Sequence, residues 1–92
     1  MKKNFIMVDV NNKIVCDELW DLCHSVIWSY MSNSYWYESI ERVEVLTDCI
    51  DKFGKIREYI EHIDLLVSTN DERHCLLRFD ARTLKIITIV SL

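Results

Sequence analysis

Ninety-two residues, half of them apolar and 28% charged, suffice for one hydrophobic core and are too few for two, so residues 1–92 are read as a single domain. A single glycine, no proline and no low-complexity run exclude a linker-joined or disordered chain. The net charge of −4 is unevenly laid out: from Asp9 to Asp51 nine acids face only Lys13 and Arg42, whereas Arg73, Arg78, Arg82 and Lys85 later face only Asp80. Direct nucleic-acid binding and attachment to an anionic membrane are therefore not expected of the acidic part.

Residues 4–10, NFIMVDV, are rich in β-branched and aromatic side chains and are expected to form a strand. Asn11 and Asn12 tolerate the positive φ of a tight turn, after which residues 13–16 can pair back. The apolar run after Lys2 and Lys3 is stopped by Asp9, well short of an export signal, and no run of 18 apolar residues is present to span a bilayer. Asp17 is a suitable N-cap, and Leu19, Cys23, Val26, Ile27 and Tyr30 recur with helical spacing, so a helix is expected over 18–31. Ser32, Asn33 and Ser34 end it, because their short polar side chains compete for backbone hydrogen bonds.

Residues 41–63 carry the strongest helical period in the chain. Leu46, Cys49, Phe53, Ile56, Ile60 and Ile63 recur at steps of three or four and predict one inward stripe. Glu41, Glu44, Asp48, Asp51 and Glu58, with Lys55 in the one gap, fall nearly opposite it. A competing period of two runs through residues 42–47 and predicts a short strand, with Thr47 capping a helix that begins at Asp48. The uninterrupted helix is preferred, with Gly54 inside it at a cost of about 1 kcal/mol relative to alanine. Residues 63–69 either finish this helix or open a strand, and residues 69–72 form a polar turn. Residues 74–79 and 84–90 are two strands joined by residues 80–83. The second of them, LKIITIV, is expected inside the sheet or across a dimer contact, since an open edge of this composition invites aggregation. The fold class that follows is α+β: a small antiparallel sheet, made of the N-terminal strand and the C-terminal hairpin, covered on one face by two helices.

Three groups of residues carry candidate chemistry. Carboxylates repeating once per helical turn stand about 5–6 Å apart, of the same order as phosphates along a nucleic-acid strand, so such a row suits the basic groove of a DNA-binding protein. The ordinary alternative is a solvated outer face. Trp28, Tyr35, Trp36 and Tyr37, interleaved with Ser and Asn, have the composition of adaptable binding surfaces, and Trp28 lies off the apolar face of its helix. The same rings can instead fill a core or a homodimer contact. Cys16, Cys23, Cys49 and Cys75, with His24, His62 and His74, show neither CxxC nor HxxxH spacing, so no metal and no cofactor are expected. The cysteines are read as reduced and mostly buried, which places the protein in the cytoplasm. Without a glycine-rich oxyanion or phosphate loop, a small thiol- or metal-dependent enzyme ranks last.

In length, acidity, residue usage and the row Glu41, Glu44, Asp48, Asp51 and Glu58, the chain resembles the small anti-restriction DNA mimics of phages and mobile elements, the Arn-like proteins among them. That resemblance implies a non-enzymatic inhibitor that forms a dimer and blocks a host DNA-binding protein or restriction nuclease. The expected contact residues are Glu38, Glu41, Glu44, Asp48, Asp51 and Glu58 together with Trp28, Tyr35, Trp36 and Tyr37, presented to a basic protein surface. An immunity protein or antitoxin that neutralises a cationic nuclease toxin is the alternative.

Overall fold

The computed structural model describes residues 5–92, Tyr35 by its backbone alone. Five strands and two helices follow one another as β1 (Ile6–Asp9), α1 (Asp17–Met31), α2 (Tyr35–Ser39), β2 (Ile40–Val45), β3 (His62–Thr69), β4 (His74–Asp80) and β5 (Ile86–Ser91). They form one sheet in the order β1-β2-β3-β4-β5, every strand beside its neighbour in sequence. The expected α+β class holds. The sheet is mixed rather than antiparallel: β1 and β2 run parallel, with Ile6 opposite Arg42 and Val8 opposite Glu44, because the intervening helices carry the chain back across the sheet.

The expected helix over 41–63 does not form. Residues 40–45 follow the competing period of two, with Ile40, Val43 and Val45 buried, and this strand pairs with β1 on one side and β3 on the other. The helix expected to start at Asp48 is absent as well; residues 46–61 are irregular apart from a bridge between Ile50 and Ile56. Local hydrogen bonds explain why. The Asp51 carboxylate accepts the backbone N–H groups of Phe53 and Lys55 at 2.9 and 3.0 Å, and Gly54 takes φ +79°, a turn conformation that glycine adopts without strain. The Thr47 hydroxyl accepts the Asp64 N–H at 2.9 Å and ties the loop to β3. Of the predicted apolar stripe, Cys49 and Ile63 are buried, Ile56 and Ile60 lean on the core, and Phe53 stands in solvent, 75% exposed.

Elsewhere the pattern reads through. Helix α1 buries Leu19, Trp20, Cys23, Val26, Ile27 and Met31 against the sheet, although its N-cap is Cys16 rather than Asp17. β1 lies within the expected N-terminal strand and is shorter, with Phe5 and Val10 outside it and the expected first residue Asn4 outside the described residues. Asn12 takes φ 61°, and the chain returns along β1 through Asp9 N–H to Lys13 O and Val15 N–H to Met7 O. The 69–72 turn is closed by Thr69, whose hydroxyl accepts the Arg73 N–H at 3.0 Å. Asp80 closes the β4–β5 turn by accepting the N–H groups of Arg82 and Thr83, which holds its carboxyl below the usual carboxylate range. Alternate residues of β3 and β4 (Ile63, Leu65, Val67, Cys75, Leu77 and Phe79) complete the core beneath α1. Among the described residues no helix lies over the opposite sheet face, which carries Leu66, Leu76 and the Asp64–Arg78 pair, joined at 2.7 and 3.0 Å.

Candidate functional site: an acidic depression beside an aromatic ladder

With the helix gone, the six predicted carboxylates no longer form a row. Glu38 lies on α2, Glu41 is the extra residue at a bulge in β2, and Glu44 lies on the sheet face turned away from α1. Asp48, Asp51 and Glu58 are spread along the 46–61 loop. Two of them are engaged internally: Asp48 pairs with Arg57 at 3.1 Å, and Asp51 caps its own turn. A single acidic helix face is therefore corrected to several separate acidic positions, because a strand and a loop point successive side chains in different directions.

The structure does bring two of the six together. Glu38 and Glu41 rim a depression of about 620 Å³ whose walls are Phe5, Ile6, Met7, Ile14, Trp20, Ile40 and Asn70. Ile6 and Ile14 are exposed at its edge. Among the described residues, no lysine or arginine belongs to this lining and neither glutamate is in an ion pair. The alternation of β1 and the bulge at Glu41 put these residues side by side, a juxtaposition invisible in the sequence, since Ile14, Glu41 and Asn70 are far apart along it.

The floor of the depression is one end of a stack of rings. Phe5 lies on Trp20 with centroids 5.6 Å apart, Trp20 on His24 at 4.6 Å, and His24 on Trp28 at 6.3 Å. Trp20, His24 and Trp28 are four residues apart on α1, so one helix face lines them up, a spacing legible in the sequence. Tyr37 of α2 meets Trp28 edge-on at 5.1 Å, and its hydroxyl lies 2.7 Å from His24 Nε2. Trp28, half exposed, ends the ladder at the surface, as its place on the helix predicts. Trp36 and Tyr37 are half-buried against the core, and Trp36 is covered by the Arg73 guanidinium, 4.3 Å from its centroid. The Tyr35 side chain lies outside the described residues.

Burial within this ladder holds the His24 pKa below its ordinary 6.5, partly opposed by the Asp21 carboxylate. Folding therefore favours the neutral ring. The associated stability is complete above pH 6.5 and is lost as the pH falls through the depressed folded value, a window separate from that of Asp64, Asp71 and Asp80, whose carboxyls titrate below 3.8. A His24→Phe variant should show no fall in melting temperature between pH 7 and 5, whereas the parent should; equal slopes for the two would contradict this assignment.

Burial raises the Cys23 thiol far above its usual range, pushes Cys49 up to about 11 and raises Cys75, so these sulfurs stay protonated at neutral pH. Cys16 alone is exposed. Among the described residues, no three His, Cys, Asp or Glu side chains are grouped to hold a metal ion, and no helix is long and apolar enough to cross a membrane. Comparisons of the chain with protein-family models, with curated proteins and with solved structures find no match.

Proposed function

We propose that this protein is a non-enzymatic binding domain that inhibits a basic, nucleic-acid-binding partner by docking on its cationic surface. The observation that carries the reading is the pairing of Glu38 and Glu41 over an apolar, aromatic-floored depression with no base in its lining among the described residues. Exposed carboxylates beside Ile6 and Ile14, over the Phe5–Trp20 end of the ring ladder, offer a partner both charge steering and desolvated contact area. Against the resemblance to DNA mimics, the reading is narrower: an acidic docking site of two carboxylates replaces a phosphate-like row. A nuclease toxin or a restriction nuclease would present the same arginine- and lysine-rich chemistry to it. All four cysteines are free, which suits a reducing cytoplasm.

The test uses an arginine-rich amphipathic peptide as the probe, titrated calorimetrically at low and at physiological salt. The parent should bind, with affinity falling as salt rises. The Glu38→Lys/Glu41→Lys variant should lose at least roughly tenfold, since each site loses an attraction and gains a repulsion. Asp48→Lys, whose parent carboxylate is already paired with Arg57 in exposed positions, should change little. Unchanged affinity in the double variant, with the fold intact by circular dichroism, would defeat the proposal.

A further inference from the structure

Part of the loop between β2 and β3 is a well-ordered turn. Around the Ile50–Ile56 bridge the chain doubles back on itself, with the Arg57 N–H donating to Cys49 O and the Asp51 N–H to Lys55 O, both at 2.8 Å. Inside the turn the Gly54 N–H donates to Asp51 O at 3.0 Å, and the Asp51 carboxylate accepts the N–H groups of Phe53 and Lys55. This turn holds Phe53 out in solvent, 75% exposed, with Lys52 Nζ 5.2 Å from its ring centroid. Lys55 is exposed on the other side of Gly54. The Asp51 carboxylate is drawn into its own turn and Asp48 is paired with Arg57, whereas neither lysine is in an ion pair among the described residues.

A rigidly held ring between two cations is the complement of the surface at Glu38 and Glu41, an apolar depression rimmed by carboxylates and, among the described residues, free of lysine and arginine. We propose that this depression takes the turn of a second copy of the chain, Phe53 entering between its walls while Lys52 and Lys55 face Glu38 and Glu41 of that copy. The inference rests on the docking reading and adds the ligand chemistry the depression selects: an aromatic ring flanked by cations. It also makes the site self-capping, since at high protein concentration a basic partner must displace the turn of a neighbouring copy.

Size, order and placement agree with this. The depression, about 620 Å³, lies within the ~300–1,000 Å³ of small-ligand pockets, so a ring with its flanking methylenes can enter. Docking removes from water a ring that the fold leaves exposed, and the lysine stems extend the apolar contact while their ammonium groups stay at the rim. Because the turn is already hydrogen-bonded, little conformational freedom is lost on docking. A chain cannot fill its own depression this way. The turn follows Val45 at one end of β2, whereas the depression opens beside Ile40 at the other, about 17 Å away at ~3.4 Å per residue. The contact is therefore heterologous, turn to depression. It buries less than ~1,200 Å² and belongs with weak, transient contacts, whose specificity comes from one anchored ring and its flanking charges rather than from area.

Sedimentation equilibrium at low salt should show the mean mass of the parent rising as its concentration approaches ~1 mM and falling back as salt is added. Lys52→Ser/Phe53→Ser and Glu38→Lys/Glu41→Lys, altered only at exposed positions, should keep the parent's melting temperature, and each alone should associate at least roughly tenfold more weakly. Mixed in equal amounts, they should form a one-to-one complex, because the first retains the depression and the second retains the turn. A parent that stays monomeric, either variant associating alone as the parent does, or a mixture without the one-to-one complex would overturn the proposal. Binding of the arginine-rich peptide by dilute parent would in each of those cases leave the docking reading standing; a parent that binds no peptide would defeat that reading and this proposal with it.

Discussion

Phe79→Ala is expected to destabilise the domain by about 3–5 kcal/mol. Phe79 is fully buried in β4, opposite Ile63 on one side and Ile86 on the other, and contributes to the single core beneath α1. Removing the ring loses its transfer free energy and leaves a cavity that two hydrogen-bonded neighbouring strands cannot close. A domain of this size is stable by about 5–15 kcal/mol in all, so the variant should lose a large share of that margin and melt at least roughly 12 °C lower. Tyr59→Ala, at a position 94% exposed on the 46–61 loop, should stay within about 0.5 kcal/mol of the parent. Urea unfolding of both variants checks the pair. A loss below about 1 kcal/mol for Phe79→Ala would place the core elsewhere.

Val43→Pro separates the strand reading of residues 40–45 from the helical one more sharply than any deletion of volume. In a helix beginning at Glu41, residue 43 lies in the first turn, where the backbone N–H has no intrahelical acceptor and proline is accommodated. In the sheet, Val43 lies opposite Met7 of β1 and Val67 of β3, and its side chain is fully buried. Proline there removes a ladder hydrogen bond from an interior strand and strains the strands on both sides, on the order of 3 kcal/mol or more. The expected result is a variant that loses its near-ultraviolet aromatic signal at a much lower urea concentration than the parent. A Val43→Pro protein as stable as its parent would return residues 41–63 to the helix.

The reason this segment misled lies in the residues themselves. Spacings of three and four connect Leu46, Cys49, Phe53, Ile56, Ile60 and Ile63, but half of these are β-branched isoleucine, as much at home in strands and half-buried loops. Asp51, on the outer face of the expected helix, and Gly54, inside it, are turn-forming residues by local hydrogen bonding and by positive φ. The C-terminal hairpin and α1 were legible because there the period, the turn residues and the length all agree. For β2 and β3 the period alone was ambiguous, and the pairing partners of β2 lie at least twenty residues away in the sequence.

The site was legible only in part. Trp28 is exposed as its position on α1 predicts, and Glu38 and Glu41 share one surface, yet Phe5, Ile6 and Ile14, which help to shape that surface, carry no signal of their own in the sequence. Strand register and a bulge at Glu41 bring them together. Those are properties of pairing between distant segments, set by which side chains the core accepts rather than by any local motif.

The most direct test is to locate the bound cation on the surface. Backbone amide shifts followed by nuclear magnetic resonance during titration with the arginine-rich peptide should move first and furthest at Ile6, Ile14, Glu38, Glu41 and Asn70, and should return as salt is raised. Shifts centred instead on Asp48, Asp51 and Glu58 of the loop, or no saturable shift at low salt, would contradict a docking site at the Glu38–Glu41 depression.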